Sequence, residues 1–176
     1  MGLTQILVLF FGIVIILGTL IYLIFTLTSL VVMLFGAPYV PCSEENRKRL
    51  RAIVRGRKRV ADLGSGDGRV MSDLAASNEL VHGYELNPIL VWKSRRTLKK
   101  SGFSGKTRVF RRNFWNHSFG EYDAVCVYGI SYIMKRLERK LLDELRPGAM
   151  VVSVGFAFPN WEPIREDGTI RVYEMK

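Results

Sequence analysis

One α/β domain carrying a mostly parallel sheet, entered from a single transmembrane helix, is the architecture that three features of this sequence predict. Apolar residues crowd the start of the 176-residue chain, short apolar runs alternate with helical stripes through the rest, and a glycine-rich turn sits at the first strand-to-helix junction. Alternation of this kind implies parallel strands joined by crossover helices on both faces, a Rossmann-like sheet. The length leaves room for one compact domain.

The apolar start comes first. No charged residue stands between Leu3 and Phe35, whereas about 20 apolar residues suffice to cross the hydrocarbon of a bilayer. A helix satisfies every backbone group internally in lipid, so residues 3–35 are expected to span the bilayer, tilted or with an interfacial end. A cleaved signal peptide would have a basic start and a shorter apolar core, and here no Lys or Arg precedes Arg47. A mitochondrial presequence would be amphipathic and Arg-rich, and this segment is neither. That tilts the expectation slightly toward a bacterial plasma membrane over a mitochondrial inner membrane.

All 26 Lys and Arg and all 16 Asp and Glu follow Ser43, so the net charge of +10 belongs to what lies behind the span. Arg47, Lys48, Arg49, Arg51, Arg55, Arg57, Lys58 and Arg59 cluster directly after it. By the positive-inside rule they set the C-terminal domain on the cytosolic or matrix side of a single-pass membrane protein. Beside a membrane helix such a cluster is expected to attract anionic lipid headgroups, with nucleic acid the less favoured partner. The cysteines Cys42 and Cys126 and the histidines His82 and His117 have no metal-ligand spacing, so no metal site is expected. Cys126 reads as a buried core residue and Cys42 as a thiol in a polar loop.

The remaining elements follow in order. Gly36 to Pro41 breaks the first helix, and Ser43 before Glu44 and Glu45 reads as an N-cap opening a helix over residues 44–54. Residues 59–63 form a strand, 68–77 a helix and 80–85 a second strand, a βαβ unit. Asn87-Pro88 opens a helix to about residue 100, and strands follow at 107–111 and 122–128. Ile133, Leu137, Leu141, Leu142 and Leu145 make a helical stripe over 133–145, stopped by Pro147-Gly148. A strand at 149–156, a loop with Trp161 at 159–167 and an antiparallel strand at 169–174 complete the chain.

The chemistry is expected in the run Asp62-Leu63-Gly64-Ser65-Gly66-Asp67-Gly68-Arg69, where the first strand turns into a helix. Glycines there let backbone pass close to a ligand. Dinucleotide sites space them G-x-G-x-x-G; here the third glycine falls one residue early and Arg69 holds its place. Asp62 directly before the turn would repel a pyrophosphate and suits the cationic methionine portion of S-adenosylmethionine. Glu85, at the end of the second strand, is placed to accept both ribose hydroxyls. After the third strand Asn113 can accept a hydrogen bond from an adenine amino group, and Phe114 and Trp115 can pack on its ring. Gly64, Ser65, Gly66 and Gly68 complete the expected cofactor set.

Beyond the turn, Pro38-Tyr39-Val40-Pro41, Gly83-Tyr84-Glu85-Leu86-Asn87-Pro88 with Leu90-Val91-Trp92, and Phe156-Ala157-Phe158-Pro159-Asn160-Trp161 carry a wider likeness. The chain resembles the class I methyltransferases that group the ATP synthase c-subunit lysine methyltransferase with the adenine nucleotide translocase lysine methyltransferase. The resemblance implies S-adenosylmethionine as methyl donor and transfer to a lysine side chain of a membrane protein. It also implies an apolar N-terminal segment ahead of the catalytic domain. Asn113 departs from the family's usual acidic residue.

The expected organisation is an anchor over residues 1–36, a linker and basic juxtamembrane helix over 37–58, and a methyltransferase domain over 59–176. No catalytic base is assigned, because a sulfonium methyl is already activated and the enzyme chiefly aligns donor and neutral amine. Tyr39, Tyr128 and Trp161 are the candidates for the acceptor pocket, with Trp161 the first choice. Two other classes stay open: a methyltransferase for a lipid or small membrane-associated acceptor, and a non-catalytic membrane module that only binds cofactor or lipid.

Overall fold

The computed structural model describes residues 2–35 and 40–176. The chain divides into two compact units, Met1–Pro38 and Tyr39–Lys176. The first is helix α1 (Leu3–Phe35), within which Leu7–Leu27 has a mean hydropathy of 2.9 and none of it is buried. By length and composition it can cross a membrane. Two of its polar side chains bond back to the helix: Thr19 donates to the carbonyls of Ile15 and Ile16, and Thr26 to those of Tyr22 and Leu23, at 2.8–3.0 Å.

In the second unit, helices α2 (Glu44–Ile53), α3 (Arg69–Ala75), α4 (Pro88–Lys100) and α5 (Ser131–Glu144) surround seven strands. These are β1 (Arg59–Leu63), β2 (Leu80–Glu85), β3 (Thr107–Arg111), β4 (Ala124–Val127), β5 (Met150–Val154), β6 (Arg165–Asp167) and β7 (Ile170–Glu174), in the order β3-β2-β1-β4-β5-β7-β6. β1 to β5 pair in parallel, and β7 lies antiparallel to both β5 and β6. Strand order reverses between β1 and β4, and in open sheets of this kind ligands bind outside the carboxyl ends of the strands at that reversal.

Strand alternation builds two cores, since successive side chains point to opposite faces. On one face Val60, Val81, Val109, Ala124 and Val152 meet α2, α3 and α4; on the other Ala61, Leu63, Val125, Val127 and Val151 meet α5 through Met134, Leu137 and Leu141. Each fully buried Val, Leu or Met among them contributes roughly 1.5–3 kcal/mol of transfer free energy, the alanines less. Leu50 and Val54 sit deep in the first core, so α2, expected as a basic juxtamembrane helix, also packs against the sheet. Ser43 caps it as expected, accepting from Asn46 N at 3.2 Å.

Two expectations are adjusted. Tyr122 and Asp123 precede β4: Tyr122 N bonds Phe119 O at 3.0 Å in a turn, and the Tyr122 ring fills the second core. The loop expected at 159–167 ends in β6, a three-residue strand too short for period-2 alternation to signal. Between β3 and β4 the only helical element is a 3-10 turn at Phe114–Asn116. Aromatic side chains cover the sheet there: Tyr122 Oη lies 2.8 Å from His82 Nδ1 and 2.7 Å from Tyr84 Oη, and the Tyr84 and His117 rings pack at 4.6 Å.

Candidate active site

β1 delivers Asp62 to the strand-order reversal, between Gly83 of β2 and Cys126 of β4 in the ladder. The turn behind it is pinned to β2: the N–H groups of Gly64 and Ser65 both donate to Tyr84 O, at 2.9 and 3.1 Å. Gly64, Gly66 and Gly68 have φ of +76°, +56° and +83°, the left-handed region that side chains disfavour. Their reasons differ. A Cβ on Gly68 would stand 2.9 Å from Ser94 Cα, whereas one on Gly64 would meet nothing within 4 Å. Gly68 therefore lets α3 pack on α4, and Gly64 leaves open space beside the turn.

Asp62 is 5 % exposed, and its Oδ2 has no hydrogen-bond partner. Burial, reinforced by the charge of Glu85, pushes its carboxyl up to about 7. The buried Ser65 hydroxyl is likewise unpartnered. A buried carboxylate without a partner is costly unless a cation completes it, so this pair fits the methionine end of S-adenosylmethionine. Glu85 closes the turn from the other side, Oε2 accepting from Gly66 N at 3.0 Å and Oε1 from Asn87 N at 2.8 Å. Each oxygen keeps a lone pair for a ribose hydroxyl. Asn87 caps α4 through Ile89 N and Leu90 N, which fixes the strand end that carries Glu85.

Asn113 uses its Oδ1 to cap the 3-10 turn, accepting from Trp115 N at 3.1 Å, which leaves its amide N–H groups and a second lone pair for a ligand. Phe114 and Trp115 are half-buried against the second core, and Arg136 covers the Trp115 ring at 4.2 Å. Trp115 is thereby occupied on one face, and the Phe114 ring packs on it at 4.8 Å.

On the acceptor side, Tyr39 lies outside the described residues. Tyr128, at the end of β4, is 37 % exposed and lies against the backbone of Gly155 after β5. Trp161 turns inward, packing on Phe158 and Tyr173 at 5.6 and 5.2 Å. Two features escape sequence reasoning. Phe156, next to Gly155, is 38 % exposed at the same end of the sheet. Glu138 of α5, 3 % exposed, accepts from Asn160 N at 2.9 Å and Asn160 Nδ2 at 3.0 Å, tying the post-β5 loop to the helix. Glu138 looks solvated in sequence because its neighbours Arg136 and Arg139 are charged. Cys42, expected in a polar loop, is half-buried against the first core, and burial together with the nearby Asp62 charge raises its thiol pKa.

Of the cations behind the first helix, Arg47 pairs with Asp73, Lys48 with Glu44, Arg49 with Glu45 and Asp167, and Arg59 with Glu121. Half of the basic stripe is thus paired with carboxylates of the same domain. No group of His, Cys, Asp and Glu suited to a metal occurs among the described residues.

Residues 62–165 match the family described as the ANTKMT methyltransferase domain. The ATP synthase c-subunit lysine N-methyltransferase of Xenopus laevis is 40 % identical over 72 % of this chain and 56 % of its own length. The adenine nucleotide translocase lysine N-methyltransferase of Mus musculus is 37 % identical over 77 % and 61 % respectively. A protein-lysine N-methyltransferase of Saccharolobus islandicus is 30 % identical over 72 % of this chain and 81 % of its own. The chain thus spans little more than half the length of the first of these curated relatives. Among solved structures, an RNA methyltransferase from Salinibacter ruber in complex with S-adenosyl-L-homocysteine superposes with a TM-score of 0.71 at 28 % identity, covering 77 % of this chain and 92 % of that one.

Proposed function

Since the chain belongs to the class I S-adenosylmethionine-dependent methyltransferases, in the family of the ANTKMT domain, we propose that it methylates lysine side chains of a membrane protein while anchored through α1. The observation that carries the reading is Asp62, a buried carboxylate with an unpartnered oxygen at the head of a glycine turn. Relatives named as lysine N-methyltransferases, two of them for the ATP synthase c-subunit and the adenine nucleotide translocase, support the acceptor class.

S-adenosylmethionine, when bound, supplies a methyl group already activated on a sulfonium. Asp62 and Ser65 hold the methionine end, the backbone of Gly64, Gly66 and Gly68 gives room along the turn, and Glu85 accepts from the ribose hydroxyls. Asn113 and Phe114 take the adenine. Tyr128 and Phe156 wall the acceptor side, while Trp161 packs on Phe158 and Tyr173. The lysine amine must arrive neutral from a pKa near 10.4, and apolar aromatic surroundings lower that value by disfavouring the charged form. With the chain tethered, a membrane protein is met at high effective concentration. The remaining cations behind the span favour the cytosolic or matrix side for the domain and contact with anionic headgroups.

The purified protein incubated with methyl-labelled S-adenosylmethionine and membranes from a strain lacking the gene tests this. The expected result is label on lysine in one membrane-protein band, lost in Asp62→Ala and Glu85→Ala. Label in the lipid extract or in RNA, or none despite cofactor binding, overturns it.

A further inference from the structure

Helix α4 has an outer face that neither the fold nor the cofactor site uses. Ile89 and Trp92 are 62 % and 55 % exposed, at helical spacings that put them on one side with Lys93, Arg96 and Lys100, while Leu90, Val91, Ser94 and Leu98 are buried. The Arg96 guanidinium lies 4.7 Å from the centre of the Trp92 ring. The charge of this edge has one sign. Between Glu85 and Glu121 the sequence carries nine Lys and Arg and no Asp or Glu, and among the described residues none of the nine forms an ion pair. On α2 and α5, by contrast, some cations are answered four residues away, Lys48 by Glu44, Arg49 by Glu45 and Lys140 by Glu144. A merely solvated face interleaves both signs and keeps large apolar side chains few.

We propose that this face, centred on Ile89, Trp92 and Arg96, is a membrane-docking surface that rests on anionic lipid headgroups while Ile89 and Trp92 enter the interfacial layer. It adds to α1 a second contact, made by the catalytic domain itself, and rests on the reading that the chain works at a membrane. Charge complementarity selects an anionic partner, and the two exposed apolar side chains among the cations select one with an apolar layer beneath its charge. A nucleic acid would ask for a bare aromatic face on which to stack, and Arg96 already covers one face of Trp92. Ile89 follows within the first turn after Glu85, so docking here brings the carboxyl end of the sheet to the level of the headgroups. That is where a lysine close to the bilayer surface would have to be met.

The full chain is mixed with vesicles of phosphatidylcholine alone or with phosphatidylglycerol added, both carrying brominated acyl chains, and the Trp92 emission is taken as wild type minus Trp92→Phe. The expected result is quenching and a blue shift of Trp92 in the anionic vesicles, lost in the neutral ones, at high salt, and in the triple variant Lys93→Glu, Arg96→Glu, Lys100→Glu. That variant should keep wild-type cofactor affinity, which reports that it folds. Equal quenching in both lipids, quenching that survives the triple variant, or none in either overturns the proposal. So does protection of Trp92 from iodide by single-stranded RNA without lipid quenching, which would make the face a nucleic-acid surface. Anchoring by α1 is read separately, as resistance to alkaline carbonate extraction, so either reading can fail while the other stands.

Discussion

Replacing Asp62 by Asn perturbs the largest electrostatic tension in the site. Burial first, then the Glu85 charge, moves the Asp62 carboxyl from 3.8 to about 7, and at about 1.4 kcal/mol per unit an ionised Asp62 costs the free fold on the order of 4 kcal/mol. Proton counting gives the sign. Between about pH 4 and pH 7 the unfolded chain has lost a proton that the folded chain keeps, so this contribution is fully present below the window and declines as pH rises through it. A bound cation reverses the balance: the sulfonium and ammonium of S-adenosylmethionine favour the carboxylate, so below about pH 7 binding expels a proton and affinity falls by up to tenfold per pH unit. Asn cannot ionise. Its variant should lose most cofactor affinity, lose the pH dependence of what remains, and lack the decline in melting temperature that wild type shows as pH rises from about 4 to 7. Calorimetric titration in two buffers of different ionisation enthalpy counts the protons, and thermal unfolding of the same samples follows stability. Wild type releasing no proton near pH 6, with both proteins sharing one pH profile, would refute the argument that Asp62 waits for a cation.

Gly64 and Gly68 should separate binding from folding. Gly68→Ala meets backbone strain and the Ser94 backbone and should cost about 2–4 kcal/mol of stability, read as a lowered melting temperature. Gly64→Ala carries only the strain of its positive φ, about 1–2 kcal/mol, and should lose cofactor affinity beyond what that explains; an unchanged dissociation constant would remove the turn from the site. Tyr122→Phe strips the hydroxyl shared by His82 and Tyr84 and should cost about 1–3 kcal/mol in denaturant unfolding without touching cofactor affinity. Glu138→Gln turns one acceptor facing Asn160 into a donor. It should cost about 1–3 kcal/mol of stability and raise the acceptor KM by about tenfold with cofactor KM held, the signature of lost positioning on one substrate side; a stability loss with acceptor KM unchanged would assign Glu138 to folding alone.

Local sequence determined the elements and their order. Hydrophobic period, glycine spacing and Ser43 and Asn87 as caps act over a few residues, and β1, β2, β3 and α1 have the expected bounds. The candidate cofactor residues could be picked out for the same reason, since a turn after β1 and an acid at the end of β2 are short-range patterns whose parallel register follows from the βαβ crossover. What the tertiary structure decided depends on burial and long-range contact. Neither hydrophobic period nor charge count says that Arg47, Arg49 and Arg59 spend their charge on carboxylates of other segments, that Trp161 faces inward while Phe156 faces out, or that the basic juxtamembrane helix brings Leu50 and Val54 into a core. A side chain's partner across the fold is fixed by packing geometry, and pattern along the chain carries no record of it. The raised Asp62 carboxyl is the clearest case: the sequence supplies the acid, and only enclosure by the sheet, with Glu85 beside it, gives the acid its tension.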